Sequence, residues 1–83
     1  MIKLSVLIPV FNEEKTILEI LTLVNLQSID GVEIEIIVVD DCSTDHSLSL
    51  LKANPDLYQQ LIELPKNLGK GGAVKAGLDV VSG

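Results

Sequence analysis

Apolar residues along this chain follow two alternating rhythms. Leu4-Ser5-Val6-Leu7-Ile8 is a short apolar run of the length expected for a buried strand. Pro9 closes it in this reading, because proline lacks the N–H that a central strand uses. From Glu13 to about Gln27 the rhythm changes. Ile17, Ile20, Leu21 and Val24 recur at helical spacing, and Glu13 and Glu14 suit a first turn, where the macrodipole favours acids. Ser28-Ile29-Asp30-Gly31 is a turn. Glu33 to Asp40 then reads as a strand that alternates before running Ile36-Ile37-Val38-Val39 without a break. A β-branched run apolar on both faces suits a central parallel strand covered on both sides.

The second half repeats the alternation more weakly. Ser43 or Thr44 can cap the next helix, with Asp45 in its first turn. That helix carries Leu48, Leu50 and Leu51 and ends near Asn54-Pro55, since a residue before proline avoids helical angles. Leu57 to about Leu64 predicts a third strand. Asn67 to Gly72 predicts a glycine-rich loop feeding a last helix through Ala73, Val74, Ala76, Gly77, Val80 and Val81. Strands alternating with helices predict an α/β fold, a parallel sheet with right-handed crossovers. Three strands make a small sheet and the last helix leads toward a further one, so residues 1–83 are expected to be the front half of something larger.

Size and charge narrow the function. A chain of 83 residues is one small domain, and a hydrophobic content of 47% argues for a packed core over disorder. A net charge of −6 with six Lys and no Arg excludes nucleic acid as a partner, because a polyanion needs clustered cations. Cys42 is the single cysteine, so no internal disulfide forms, in keeping with a reducing, cytoplasmic setting. Leu4–Val10 and the uncharged stretch Ile20–Ile29 are both too short to cross a membrane, and neither reads as a signal peptide. Any membrane contact is expected to be peripheral.

Candidate chemistry sits at two strand ends, Pro9-Val10-Phe11-Asn12-Glu13 and Val38-Val39-Asp40-Asp41-Cys42-Ser43. Open parallel sheets bind ligands at their carboxyl edge, where such ends lie side by side. A carboxylate there only accepts hydrogen bonds, so Asp40 and Asp41 select base N–H groups or ribose hydroxyls. Neighbouring strand side chains point oppositely, so one of the pair faces the crevice and the other the turn. Both serve equally well as caps of the following helix. At the first strand end, Pro9 frees backbone groups of Val10 and Phe11 to meet a base, Phe11 offers an apolar face, and Glu13 can accept from a ribose. The same residues also suit a helix start and the core.

The third feature is Gly69-Lys70-Gly71-Gly72. Exposed N–H groups at a helix start attract anions, and Lys70 adds a charge that can meet a diphosphate; a structural turn explains these glycines equally. Two phosphate motifs are absent. The first strand–helix turn has no glycines for a dinucleotide fingerprint, and Gly71, not Ser or Thr, follows Lys70. His46 reads as a surface residue, and Glu33 and Glu35 as solvated. Cys42, between acids, lacks the electropositive setting of a reactive thiolate. No metal-site spacing and no Ser–His–Asp arrangement is present. A receiver-like domain fails because its acidic pair should follow the first strand, which here ends in Pro9.

Together, Pro-Val-Phe-Asn-Glu, Val-Val-Asp-Asp-Cys-Ser-Thr-Asp and Asn-Leu-Gly-Lys-Gly-Gly-Ala-Val-Lys-Ala-Gly, in this order, resemble the amino-terminal part of family 2 glycosyltransferases. The third stretch is most similar to the branch that makes polyprenyl- or dolichyl-phosphate sugars. The resemblance implies a GT-A fold, a Rossmann-like three-layer sandwich whose N-terminal half has about three parallel strands and three helices. It implies an enzyme that transfers a sugar from a UDP- or GDP-sugar donor, with polyprenyl phosphate as one acceptor, at the cytoplasmic face of a membrane. By the same resemblance Pro9, Val10, Phe11 and Glu13 border the nucleoside, Asp41 with Asp40 beside it contacts the base, and Gly69 and Lys70 lie near the donor. Position 42 in the pattern is usually glycine or another small residue. The Mg²⁺ or Mn²⁺ expected for the complete enzyme is held by an Asp-x-Asp element that this chain does not contain. No catalytic residue is assigned, and the isolated 83 residues are expected to be inactive; a non-catalytic nucleotide-binding module is the alternative.

Overall fold

The computed structural model describes residues 2–82, and for residues 70 and 80–82 the backbone alone. The elements are β1 (Ile2–Val10), α1 (Ile17–Asn25), β2 (Val32–Asp40), α2 (Ser47–Ala53), a 3-10 turn (Pro55–Leu57), β3 (Gln60–Glu63) and α3 (Gly69–Ser82). All three strands are parallel, in the order β1-β2-β3, as predicted for an α/β fold. Ile36 to Val39 are buried on both faces of the central strand.

Side-chain alternation along β2 divides the core into two layers. Ile36 and Val38 join Val10 of β1 in a cluster with Ile17 and Leu21 of α1 and Leu51 of α2. The opposite face carries Leu7 and Val39, which lie against Gly77 of α3. A Cβ built at Gly77 would stand 3.0 Å from Leu7 Cδ2 and 3.3 Å from Val39 Cγ2. Glycine there lets α3 lie close on the sheet and brings its start level with the strand ends. Each fully buried aliphatic side chain contributes roughly 1.5–3 kcal/mol, so the two layers together fix where the loops emerge.

Several boundaries differ from the sequence expectation, each for a local reason. β1 runs through Pro9, which pairs in register with Val39. The Val10 carbonyl accepts from Asp41 N at 2.8 Å, so backbone groups of even-numbered residues point to β2 and Pro9 turns its missing donor to the free edge of the described sheet. α1 starts at Ile17, one turn late, although the Glu13 carbonyl already accepts from Thr16 and Ile17. Ile20 is 39% exposed, because Ile17 and Leu21 take the core-facing positions. β3 is short because Pro55 opens a 3-10 turn before it. Of the predicted glycine loop, Asn67 and Leu68 lie in the connection, whereas residues 69–72 form the first turn of α3. Glu35 is not simply solvated: Lys3 Nζ lies 3.1 Å away, and Ser5 Oγ donates to it at 3.3 Å. The expected core roles of Val80 and Val81 lie outside the described side chains.

Candidate functional site

Three connections gather at the carboxyl edge of the sheet: residues 11–16 after β1, 41–46 after β2, and 64–68 before α3. They enclose an open cleft of about 640 Å³, within the range of small-ligand sites. Pro9, Val10, Phe11 and Glu13 line it from β1 and its loop, Asp41 from β2, and Gly69 from α3. Asn67 and Ala73 complete the lining; sequence reasoning did not single them out as contacts. Phe11 is exposed, so its ring is offered to the cleft rim rather than spent on the core.

The acidic pair is split. Asp40, in line with the residues that face α1 and α2, is 1% exposed. Its Oδ1 accepts from Ser43 Oγ at 2.6 Å and its Oδ2 from Ser43 N at 3.2 Å. Asp40 therefore braces the turn and is not among the residues that line the cleft. Asp41, one residue on, faces the α3 side and lines the cleft with 3% exposure. Its Oδ1 accepts from Leu68 N at 2.7 Å. That bond anchors the segment leading into α3 while the carboxylate keeps capacity to accept from a ligand.

Cys42, at the next position, has φ +57°. A left-handed backbone explains why glycine suits this position better than small size alone does. Cys42 Sγ lies 3.9 Å from the Pro65 carbonyl.

The two strand-end loops are tied together by side chains that sequence reasoning missed. Asn12 has φ +53°, and its Oδ1 accepts from Thr44 N at 2.8 Å and Asp45 N at 3.3 Å. Glu13 N donates to the buried Ser47 Oγ at 2.7 Å, and Glu14 N to Asp45 Oδ2 at 3.2 Å. Asp45 Oδ1 also accepts from Ser47 N at 2.8 Å; Asp45, not Ser43 or Thr44, thus satisfies the start of α2. Desolvation works to raise the Asp45 carboxyl, but hydrogen bonds from Ser47 and the Glu14 backbone outweigh it and hold it below its ordinary value of 3.8. His46, exposed as expected, adds a contact of 2.9 Å from Nδ1 to Glu14 Oε2. A serine buried inside an otherwise apolar helix face was the available signal for Ser47.

Gly69 opens α3 with φ +75°, a conformation that glycine adopts at no steric cost. The expected role of Lys70 lies outside the described side chains. Among the described residues no three His, Cys, Asp or Glu side chains gather as metal ligands; Asp40 is committed to Ser43. The described residues do not fit a divalent cation by themselves.

Residues 5–83 match the family described as Glycosyl transferase family 2. The chain belongs to that family. It is 40% identical over 73 residues to the poly(ribitol-phosphate) beta-N-acetylglucosaminyltransferase TarS of Staphylococcus aureus (strain Mu50 / ATCC 700699), covering 87% of this chain and 13% of TarS. It is 37% identical over 84 residues to the undecaprenyl-phosphate 4-deoxy-4-formamido-L-arabinose transferase of Shewanella sediminis (strain HAW-EB3), covering 95% of this chain and 25% of that protein. Among solved structures, the mannosyltransferase PcManGT from Pyrobaculum calidifontis in complex with GDP-Man and Mn²⁺ superposes with a TM-score of 0.79 at 31% identity, over 92% of this chain and 23% of that one. TarS residues 1–349 in complex with UDP superpose with a TM-score of 0.65 at 35% identity, over 81% of this chain and 20% of that one. The three parallel strands and three helices are therefore a family 2, GT-A-type α/β arrangement, as the sequence motifs imply. The chain spans between 11% and 26% of the length of these curated relatives.

Proposed function

We propose that this chain forms the nucleoside-reading part of the donor site of a glycosyltransferase that uses a nucleoside diphosphate sugar, with UDP or GDP as the nucleotide. The observation that carries the reading is geometric: Glu13 and Asp41 line one cleft with Phe11 at the carboxyl edge of a parallel sheet. In this reading Asp41 accepts a hydrogen bond from a ring N–H of the base, and Phe11 covers an apolar face. Glu13 accepts from ribose hydroxyls, and the Gly69–Lys70 start of α3 lies toward the diphosphate. UDP and GDP-Man in the TarS and Pyrobaculum structures support the choice of donor.

The complete enzyme is proposed to displace the nucleotide from the anomeric carbon in one step, with inversion. Mg²⁺ or Mn²⁺ would supply countercharge to the departing diphosphate, a proposal supported by the Mn²⁺ of the Pyrobaculum complex. The described residues offer no cluster of three carboxylate, His or Cys ligands for such an ion, and in this reading their part is to bind and orient the nucleoside. Polyprenyl phosphate is the acceptor suggested by the Shewanella relative, whereas TarS is named for poly(ribitol-phosphate). The Gly69 turn that prompted the polyprenyl reading faces the donor cleft, so it speaks for the donor and not for either acceptor. Among the described residues no helix is long and apolar enough to cross a membrane. The cytoplasm, at a membrane face, is the proposed location, in keeping with the free Cys42.

The test is to titrate UDP, GDP, ADP and CDP into the chain, with and without Mn²⁺, while following backbone amide resonances. UDP or GDP should move the signals of Phe11, Glu13 and Asp41 and raise the melting temperature. A panel in which no nucleotide disturbs those three residues defeats the donor reading.

A further inference from the structure

Asn12 sits between two residues that line the cleft, Phe11 and Glu13, without lining it itself. Its backbone has φ +53°, a left-handed conformation that asparagine and aspartate tolerate better than other side chains bearing a Cβ. Its Oδ1 carries three bonds from the other strand-end loop: Thr44 N at 2.8 Å, Thr44 Oγ1 at 3.3 Å and Asp45 N at 3.3 Å. Its own N–H donates to Ser43 Oγ at 3.1 Å, and that hydroxyl donates onward to the buried Asp40 at 2.6 Å.

We infer that Asn12 is a positioning residue for the donor cleft, one that aims Phe11 and Glu13 and locks their loop to the loop carrying Asp41. The inference rests on the donor reading for its functional meaning but not for its geometry. Two properties are needed at this position, tolerance of positive φ and a side-chain acceptor for the loop N–H groups. Glycine supplies only the first. Aspartate supplies both, because every bond to the Asn12 side chain is one it accepts. A cleft preformed in this way loses less freedom when the ligand arrives.

The experiment compares Asn12→Gly, Asn12→Asp and Ser43→Ala with the unaltered chain at 0.15 M NaCl. Three quantities are read: melting temperature, the ring resonances of Phe11 and affinity for UDP and GDP. Phe11 is the single phenylalanine, so its ring signals are unambiguous. Asn12→Gly should shift the Phe11 signals in the free chain and weaken nucleotide binding about tenfold, the scale of losing one or two positioning hydrogen bonds. Asn12→Asp should restore both. Unchanged Phe11 signals and affinity in Asn12→Gly overturn the inference, as does an Asn12→Asp variant no better than Asn12→Gly. Should Asn12→Gly fail to fold, Ser43→Ala decides: a smaller shift of the Phe11 ring upholds the role, and an unmoved ring overturns it. An unaltered chain that binds neither UDP nor GDP defeats the donor reading, while the Phe11 signals of the free variants still judge the positioning.

Discussion

Asp41→Asn separates recognition from folding at the residue on which the donor reading leans most. Asp41 is nearly buried, and its Oδ1 accepts from Leu68 N at 2.7 Å. An asparagine keeps that acceptor and replaces the second oxygen with an amide NH₂, which donates where a base N–H also donates. The expected loss is one hydrogen bond to a charged group, about 1.5–3 kcal/mol. At about 1.4 kcal/mol per decade, that is a ten- to hundredfold weaker nucleotide. Asp41→Ala is the poorer probe, because it also leaves Leu68 N–H without its partner at a cost of about 1–3 kcal/mol in stability.

Calorimetric titration of UDP and GDP into both proteins gives the affinity ratio, and scanning calorimetry gives an independent check. At a fixed saturating nucleotide concentration, a tenfold weaker complex forfeits about 1.4 kcal/mol of ligand stabilisation. For a domain of this size that is roughly 6–11 °C of the nucleotide-induced rise in Tm. Without nucleotide the two Tm values should stay close. Equal affinity of the two proteins for the preferred nucleotide would remove Asp41 from the site, whatever else lies in the cleft.

Asp40→Ala should do the reverse, costing about 1–3 kcal/mol of stability because Ser43 loses both acceptors, while calorimetry finds nucleotide affinity within about threefold of the unaltered chain. Cys42→Gly relieves about 1–2 kcal/mol of left-handed strain against roughly 0.5–1 kcal/mol of added chain entropy. It should therefore raise Tm by several degrees, and a fall in Tm would refute the strain. The Asp45 carboxyl is lower in the folded chain than its ordinary 3.8, so its contribution to stability is present above that pH and is lost as pH falls through the folded value. The Tm gap between the unaltered chain and Asp45→Asn should accordingly be open at pH 6 and close below about pH 3.8. Gly77→Val wedges α3 off Leu7 and Val39 and should cost about 1–3 kcal/mol by overpacking, read as a lower denaturation midpoint.

The layers of the fold were legible because β2 announces itself: a run apolar on both faces belongs at the centre of a parallel sheet, and Ile36 to Val39 are there. The two crevice loops were legible because strand ends of such a sheet must lie side by side. Which acid of the pair enters the cleft was not. Alternation says only that Asp40 and Asp41 part company; the choice depends on which face α3 covers, a matter of topology that local alternation does not carry, and Gly77 shows only how closely α3 approaches that face. Pro9 misled because the proline rule assumes a neighbour on both sides, whereas its missing N–H here points to the free edge. Asn12 carried a weak signal in its tolerance of positive φ. Cys42 carried none of its own, since cysteine has no preference for that backbone.

If the cleft takes the donor as proposed, its charges divide the work of binding. Among the described side chains that line it, the ionisable ones are Glu13 and Asp41, both acids, in a chain of net charge −6. Like charges repel by an amount that grows as they approach and as water is excluded. A diphosphate therefore gains nothing from these two groups and is pushed away by them, while uncharged donors on a base or ribose are attracted. On the proposed donor reading these two acids favour the nucleoside, and countercharge for the phosphates comes from other groups, Lys70 being the candidate within this chain. The part of the protein that tells one base from another can be built without the part that holds the leaving group.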